Sequence, residues 1–220
     1  AAPITTRPGS GSPVRAVAIG TSTGGPTALE VVLGGLPESI GVPVFVVQHM
    51  PPVFTRHMAE RLDQRTPLRV VEATDGMRPA AGHVYVAPGG HHMEVGAEGA
   101  ARTIRITDDP PEHSCRPAVD VLFRSLARTY GRGVLGVVMT GMGGDGLDGV
   151  ENLVDAGSEA IVQDEESSVV WGMPGLVARA GLATAVLPLD RIAPAVARRA
   201  VGTAAGARRS PVMDRGGRVT

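Results

Sequence analysis

The stretch Val14-Arg15-Ala16-Val17-Ala18-Ile19-Gly20-Thr21-Ser22-Thr23-Gly24-Gly25-Pro26, with the apolar run at 42–48 that follows, decides the fold. Residues 14–19 and 42–48 are rich in valine and isoleucine and lack the strict polar alternation of a half-exposed strand. Such runs belong to parallel strands covered on both faces. Between them, residues 26–36 carry Leu29, Val32 and Leu33 at helical spacing. Pro26 falls in a first turn, where its missing N–H costs no hydrogen bond. The unit reads strand, helix, strand, and the crossover is long enough for parallel pairing.

The same alternation continues outward. A helix is expected at 53–64, a strand at 68–72, and short strands at 83–87, 92–95 and 102–107, the last two forming an antiparallel hairpin around 96–101. A helix at 118–129 places Val121, Leu122, Ser125 and Leu126 at helical spacing. The strand at 134–139 is the most apolar and is expected to be central. After the glycine-dense loop 140–146 come a helix to residue 156, a strand at 160–163, a helix at 174–180, a strand at 183–187 and a helix at 191–201. The expected fold class is α/β: one domain with a doubly wound, mostly parallel sheet flanked by helices, plus a small antiparallel hairpin. Residues 1–13 read as a flexible leader or linker remnant, 14–201 as the folded domain, and the Arg/Gly-rich 202–220 as a disordered tail.

Composition narrows the chemistry. At 220 residues and 43% hydrophobic the chain can build one sizeable core. Its formal net charge of −1 supplies no field to attract nucleic acid or an anionic membrane, so neither is expected as a partner. Every basic residue is arginine, which excludes Schiff-base lysines, Walker-type loops and lysine-dependent receiver chemistry. A single cysteine, Cys115, excludes an internal disulfide and a cysteine-rich metal site. No apolar stretch approaches the ~20 residues of a membrane helix, and a cytoplasmic protein, monomeric by default, is expected.

Gly20-Thr21-Ser22-Thr23-Gly24 fits the G-x-S-x-G pattern, in which a tight strand-to-helix turn exposes a serine and the helix start offers free N–H groups to an oxyanion. Ser22 is then a nucleophile; the competing reading is that Ser22 or Thr23 caps the helix. As a dinucleotide fingerprint the loop is poor, because Ser22 stands where the second glycine should admit a pyrophosphate. Of six histidines, His49 in Gln48-His49-Met50-Pro51 lies just past the second strand, on the sheet edge that carries Ser22. A carboxylate is needed to orient the ring. Asp145, in Thr140-Gly141-Met142-Gly143-Gly144-Asp145-Gly146, follows another strand at the same edge, although an acid among glycines could also be an N-cap or a cation ligand. Asp148 and Glu151 fall on the next helix and are expected to be solvated. The order Ser22, His49, Asp145 differs from the serine, acid, histidine order of α/β-hydrolases, and no histidine follows His113.

Several motifs in one order extend this reading: Ile19-Gly20-Thr21-Ser22-Thr23-Gly24-Gly25, Gln48-His49-Met50-Pro51-Pro52 with Phe54-Thr55-Arg56, Tyr85-Val86-Ala87-Pro88-Gly89 with His92-Met93-Glu94, Arg116-Pro117 with Val119-Asp120-Val121-Leu122-Phe123, Thr140-Gly141-Met142-Gly143 with Asp145-Gly146, and Gly172-Met173-Pro174. Over about residues 14–200 the chain resembles the catalytic domain of the chemotaxis protein-glutamate methylesterases, the CheB family. The resemblance implies Ser22 as nucleophile, His49 as base and Asp145 as orienting acid, with Thr23 and Met142 beside the oxyanion. It implies a serine hydrolase that removes methyl esters from glutamate side chains in the helical region of chemoreceptors and deamidates certain receptor glutamines, with no metal or cofactor. Thr21 stands where the family commonly has alanine. Family members usually carry an N-terminal receiver domain, so the expectation is either an excised domain or a stand-alone form, with a receiver acting in trans as one option. Arg56, and less so His57, Arg61 and Arg116, are candidate substrate contacts, and Asp120 either supports a helix start or touches substrate. The alternative is a non-chemotactic scaffold or signalling module that keeps the fold.

Overall fold

The computed structural model describes residues 4–99 and 101–207. Seven strands form one parallel sheet: β1 (Ala16–Thr21), β2 (Val44–Gln48), β3 (Arg69–Glu72), β4 (His83–Val86), β7 (Val134–Val138), β8 (Glu159–Gln163) and β9 (Ala185–Leu187). Their order is β3-β4-β2-β1-β7-β8-β9. The middle strand is therefore β1, with the more apolar β7 beside it. A separate antiparallel pair joins β5 (His92–Glu98) to β6 (Ala101–Thr107), as the hairpin reading expected.

The period-2 geometry of strands sorts the core into two layers. Val17 and Ile19 of β1, Val44 and Val46 of β2, and Leu135 and Val137 of β7 face α1 (Gly25–Gly34), α2 (Phe54–Arg65) and α6 (Leu189–Ala207) through Leu29, Val32, Met58, Leu62, Ile192 and Val196. Ala16, Ala18, Phe45, Val47, Val138 and Val162 face α3 (Val119–Tyr130), α4 (Leu147–Asp155) and α5 (Met173–Arg179) through Leu122, Leu126, Val150, Leu153 and Val177. Both faces are thus covered, which is why these strands read as continuous apolar runs. Each fully buried aliphatic side chain contributes about 1.5–3 kcal/mol. Two α3 side chains seat the hairpin against this second layer. Ser125 Oγ accepts the Val95 N–H at 3.0 Å, and Thr129 Oγ1 donates to the Val95 carbonyl at 2.7 Å.

The last helix exceeds its expected bounds: α6 begins at Leu189 and runs to Ala207, through the alanine-rich 203–207 that the sequence reading places in an unstructured tail. Alanine is the strongest intrinsic helix former, and here that propensity outweighs the glycines. Residues 208–220 of the expected tail, and 1–3 of the expected leader, lie outside the described residues. No described helix is long and apolar enough to cross a membrane.

The sheet order reverses between β1 and β7. Loops leaving the carboxyl ends of strands on either side of such a switch diverge and leave a crevice, the usual place for a ligand in open parallel sheets. The turns after β1, β2 and β7 carry Ser22, His49 and Asp145.

Candidate active site

The turn after β1 is fixed by backbone bonds. Ser22 N–H donates to the Thr140 carbonyl at 3.0 Å, and Gly25 N–H donates to the Ser22 carbonyl at 2.8 Å. Gly24 is the N-cap of α1 in the left-handed region, φ 82°, and no side chain caps the helix. The capping role considered for Ser22 or Thr23 is therefore not used, and the Ser22 hydroxyl is left half-buried at the crevice. Thr21 is buried and its hydroxyl donates to the Thr140 carbonyl at 2.9 Å, so the extra side chain ties β1 to the β7 loop. Gly25 is required by packing: a Cβ there would lie 1.9 Å from Gln48 Oε1.

His49 leaves β2 with its N–H on the Thr21 carbonyl at 3.2 Å. Its ring is 11% exposed, and Nε2 meets Asp145 Oδ2 at 2.7 Å. Nδ1 is then the nitrogen left to act as a base. Its neighbour is Cys115 Sγ at 3.5 Å; among the described residues no hydrogen bond joins it to Ser22 Oγ. Burial, then the Asp145 charge, push the Cys115 thiol pKa up, so sulfur keeps its proton and faces Nδ1 as a weak donor. His49 and Cys115 share a cleft of about 260 Å³ with Met50, Pro52 and Arg116.

Asp145 is buried at the start of α3. Its Oδ2 also accepts the Val119 N–H at 2.7 Å, and Oδ1 accepts the Asp120 N–H at 2.9 Å. Burial opposes its ionisation, but the His49 hydrogen bond and then the two N–H groups outweigh burial and hold the carboxyl below the usual aspartate range. Asp120 returns the arrangement at the next helix: its Oδ1 accepts the N–H groups of Gly146 at 2.9 Å and Gly149 at 2.6 Å, at the start of α4. Its Oδ2 meets His113 Nε2 at 2.9 Å. Burial and then the Asp145 charge push the Asp120 pKa up to about 6. Each carboxylate thus caps the helix that carries or follows the other, satisfying orphan N–H groups of both first turns.

Thr23 and Met142, the expected oxyanion neighbours, lie on the turns after β1 and β7, and both are exposed. Neither N–H donates to any acceptor within the described residues. Gly141 packs directly on the serine: a Cβ there would sit 2.3 Å from Met173 Sδ and 2.8 Å from Ser22 Cβ. Arg56 is 70% exposed and pairs with Glu60 at 3.2 Å, beside a cleft shared with Asp63, Arg69 and Glu72 rather than with the triad. Arg61 pairs with Glu30 at 2.7 Å, and Arg116 donates to the carbonyls of Asp108 and Asp109. For a metal, His113, Asp120 and Asp148 offer donor atoms within 4.8 Å of one another. Asp120 already spends its oxygens on two backbone N–H groups and His113, so the cluster works as a hydrogen-bond network.

Sequence reasoning missed Cys115 and Gln48 as parts of this site. Gln48 is buried at the end of β2, and its Nε2 donates to the carbonyls of Ser22 at 2.9 Å and His49 at 3.2 Å, tying the two turns together. A glutamine closing an otherwise apolar strand was the available signal.

Comparison with known proteins identifies the family. A family model described as CheB methylesterase matches residues 17–196. The chain is 52% identical over 183 residues to a protein-glutamate methylesterase/protein-glutamine glutaminase of Trichodesmium erythraeum, covering 83% of this chain and 52% of that protein. It is also 52% identical over 185 residues to one of Nocardioides sp., covering 84% of this chain and 50% of that protein. It spans about half the length of the curated relatives it matches. The crystal structure of the Thermotoga maritima CheB methylesterase catalytic domain superposes with a TM-score of 0.83 at 37% identity, covering 85% of this chain and 99% of that one. With serine, histidine and aspartate on three neighbouring turns of the same sheet, the chain belongs to the CheB methylesterase family.

Proposed function

We propose that this chain is a protein-glutamate methylesterase that also deamidates glutamine, acting on the methylated region of chemoreceptors at the cytoplasmic face, through Ser22, His49 and Asp145. The observation that carries the reading is the 2.7 Å His49 Nε2–Asp145 hydrogen bond at the switch point, one turn from Ser22. Asp145, held ionised, accepts the hydrogen bond of the Nε2–H group and so leaves Nδ1 unprotonated. Ser22 Oγ attacks the ester carbonyl carbon while its proton passes to Nδ1, which exchanges the loose Cys115 contact for the hydroxyl. Catalytic hydrogen bonds are often unformed before substrate binds. The tetrahedral oxyanion takes the free N–H groups of Thr23 and Met142. Its collapse sends the His49 proton to the departing methoxide oxygen, releasing methanol. Water activated by the same nitrogen then cleaves the acyl-serine to give glutamate. With a glutamine side chain the leaving group is ammonia and the acyl-enzyme is identical.

The test is methanol release from membranes bearing methyl-labelled receptor, by this chain and by Ser22→Ala. Release from the unaltered chain, lowered at least ~10³-fold in Ser22→Ala, is the expected result. Equal release by both refutes Ser22 as nucleophile. A folded chain that labels at Ser22 with a fluorophosphonate but releases no methanol has another acyl substrate, and one that does neither is a scaffold.

A further inference from the structure

The turn between β2 and α2 breaks two rules of a stable surface. Val53 has φ 74°, a left-handed conformation that a β-branched side chain rarely adopts, and it is 62% exposed. The next residue, Phe54, is 57% exposed. The strain is imposed by bracing from behind. Gly89 packs so closely on the turn that a Cβ would fall 2.4 Å from the Pro51 carbonyl carbon. Thr55 Oγ1 accepts the Gly89 N–H at 2.9 Å and donates to Glu72 Oε1 at 2.6 Å. Strain of this kind persists where the surroundings over-determine it and gathers at functional sites.

In front of Phe54 lies a cleft of about 290 Å³ lined by Pro26, Met50, Phe54, Met58, His57 and Arg61. Two of its lining residues lie close in the chain to Ser22 and His49. Pro26 opens the helix after the Ser22 turn, and Met50 follows His49 and also lines the His49–Cys115 cleft. Arg61 is held at the rim by Glu30, so the floor stays apolar. A protein whose side chain is esterified to Ser22 necessarily covers the surface one or two residues to either side of that point.

We infer that this cleft is a specificity pocket that receives an apolar side chain of the substrate protein next to the modified residue, with Phe54 as its main contact. This rests on the esterase reading above. An apolar occupant follows from the lining, since Pro26, Met50, Phe54 and Met58 offer apolar surface while the Arg61 guanidinium is already paired with Glu30. The rigid turn presents Phe54 already ordered, so docking does not pay to fix it.

The experiment measures KM and kcat for methanol release from membranes bearing methyl-labelled receptor, for the unaltered chain, Phe54→Ser and Phe54→Leu. Phe54 is largely exposed, so both variants fold. Expected is a KM raised at least ~10-fold in Phe54→Ser with kcat little changed, and a KM within ~3-fold of the unaltered chain in Phe54→Leu. An unchanged KM in Phe54→Ser overturns the pocket, and so does a fall in kcat at constant KM. If the unaltered chain releases no methanol, the esterase reading fails first and takes the pocket with it.

Discussion

Replacing Asp120 by asparagine isolates the electrostatic tension between the two buried carboxylates. Asp120 titrates at about 6 in the fold, against about 3.9 for an unfolded aspartate. Between those values the folded chain holds a proton that the unfolded chain has released. Stability supplied by this group is therefore fully present below about pH 4 and is lost as pH rises through 6. At ~1.36 kcal/mol per pH unit of difference, the loss amounts to about 2–3 kcal/mol. The substituted amide keeps an oxygen for the N–H groups of Gly146 and Gly149 but has no proton to lose and no charge to set against Asp145 or Asp148. The assay is equilibrium urea unfolding of both proteins from pH 4.5 to 7.5, above the range in which Asp145, with its lowered pKa, takes up protons. The stability difference is expected to move in favour of Asp120→Asn by about 2 kcal/mol across that range. Curves that stay parallel within ~0.5 kcal/mol refute the charge argument.

Three further outcomes follow from the geometry. Asp145→Asn, with its oxygen in the Oδ1 position, keeps the acceptor for Asp120 but puts an NH2 group opposite both His49 Nε2 and the Val119 N–H, fixing the wrong tautomer and leaving that N–H unpaired; turnover is expected to fall ~10³–10⁴-fold and urea unfolding to show a loss of about 1–3 kcal/mol. Val53→Gly relieves a backbone that costs about 1–3 kcal/mol against an entropy cost of about 0.5–1 kcal/mol, so thermal unfolding should shift upward; a downward shift refutes the strain. Gly141→Ala places a methyl 2.8 Å from Ser22 Cβ and 2.3 Å from Met173 Sδ. It should lower turnover at least ~10²-fold and destabilise by about 1–3 kcal/mol, read from methanol release and urea unfolding together.

What the sequence disclosed is what periodicity and local turn chemistry encode. The strands at 14–19, 42–48 and 134–139 were visible because burial on both faces removes polar alternation, and the observed β1, β2 and β7 end within two residues of those bounds. Ser22 and His49 were visible because each follows directly on such a strand. Cys115 was not, because it lies far along the chain in the segment before α3, and only the packed structure brings it to Nδ1. Nor could spacing show which ring nitrogen faces Asp145. The helical extension to Ala207 was hidden by Gly202 and Gly206, which read as breakers.

The chain order of the proposed triad, unlike that of α/β-hydrolases, follows from the switch point. In a doubly wound sheet the first crossover places β2 on one side of β1, and the chain must later return to place β7 on the other. The carboxyl ends of these three strands lie side by side, so the proposed nucleophile, base and acid fall in the order β1, β2, β7, whatever lies between. The acid arrives last and on a glycine-rich loop, where nothing local fixes its rotamer. Its position is fixed instead by the start of α3, through the N–H groups of Val119 and Asp120. Asp120 in turn caps the helix that Asp145 precedes. A loop that would otherwise be mobile is thereby held by two helix termini, and the His49 ring inherits its orientation from them. The high pKa of Asp120 is the energetic trace of that arrangement: two carboxylates are buried together so that one of them can be held still.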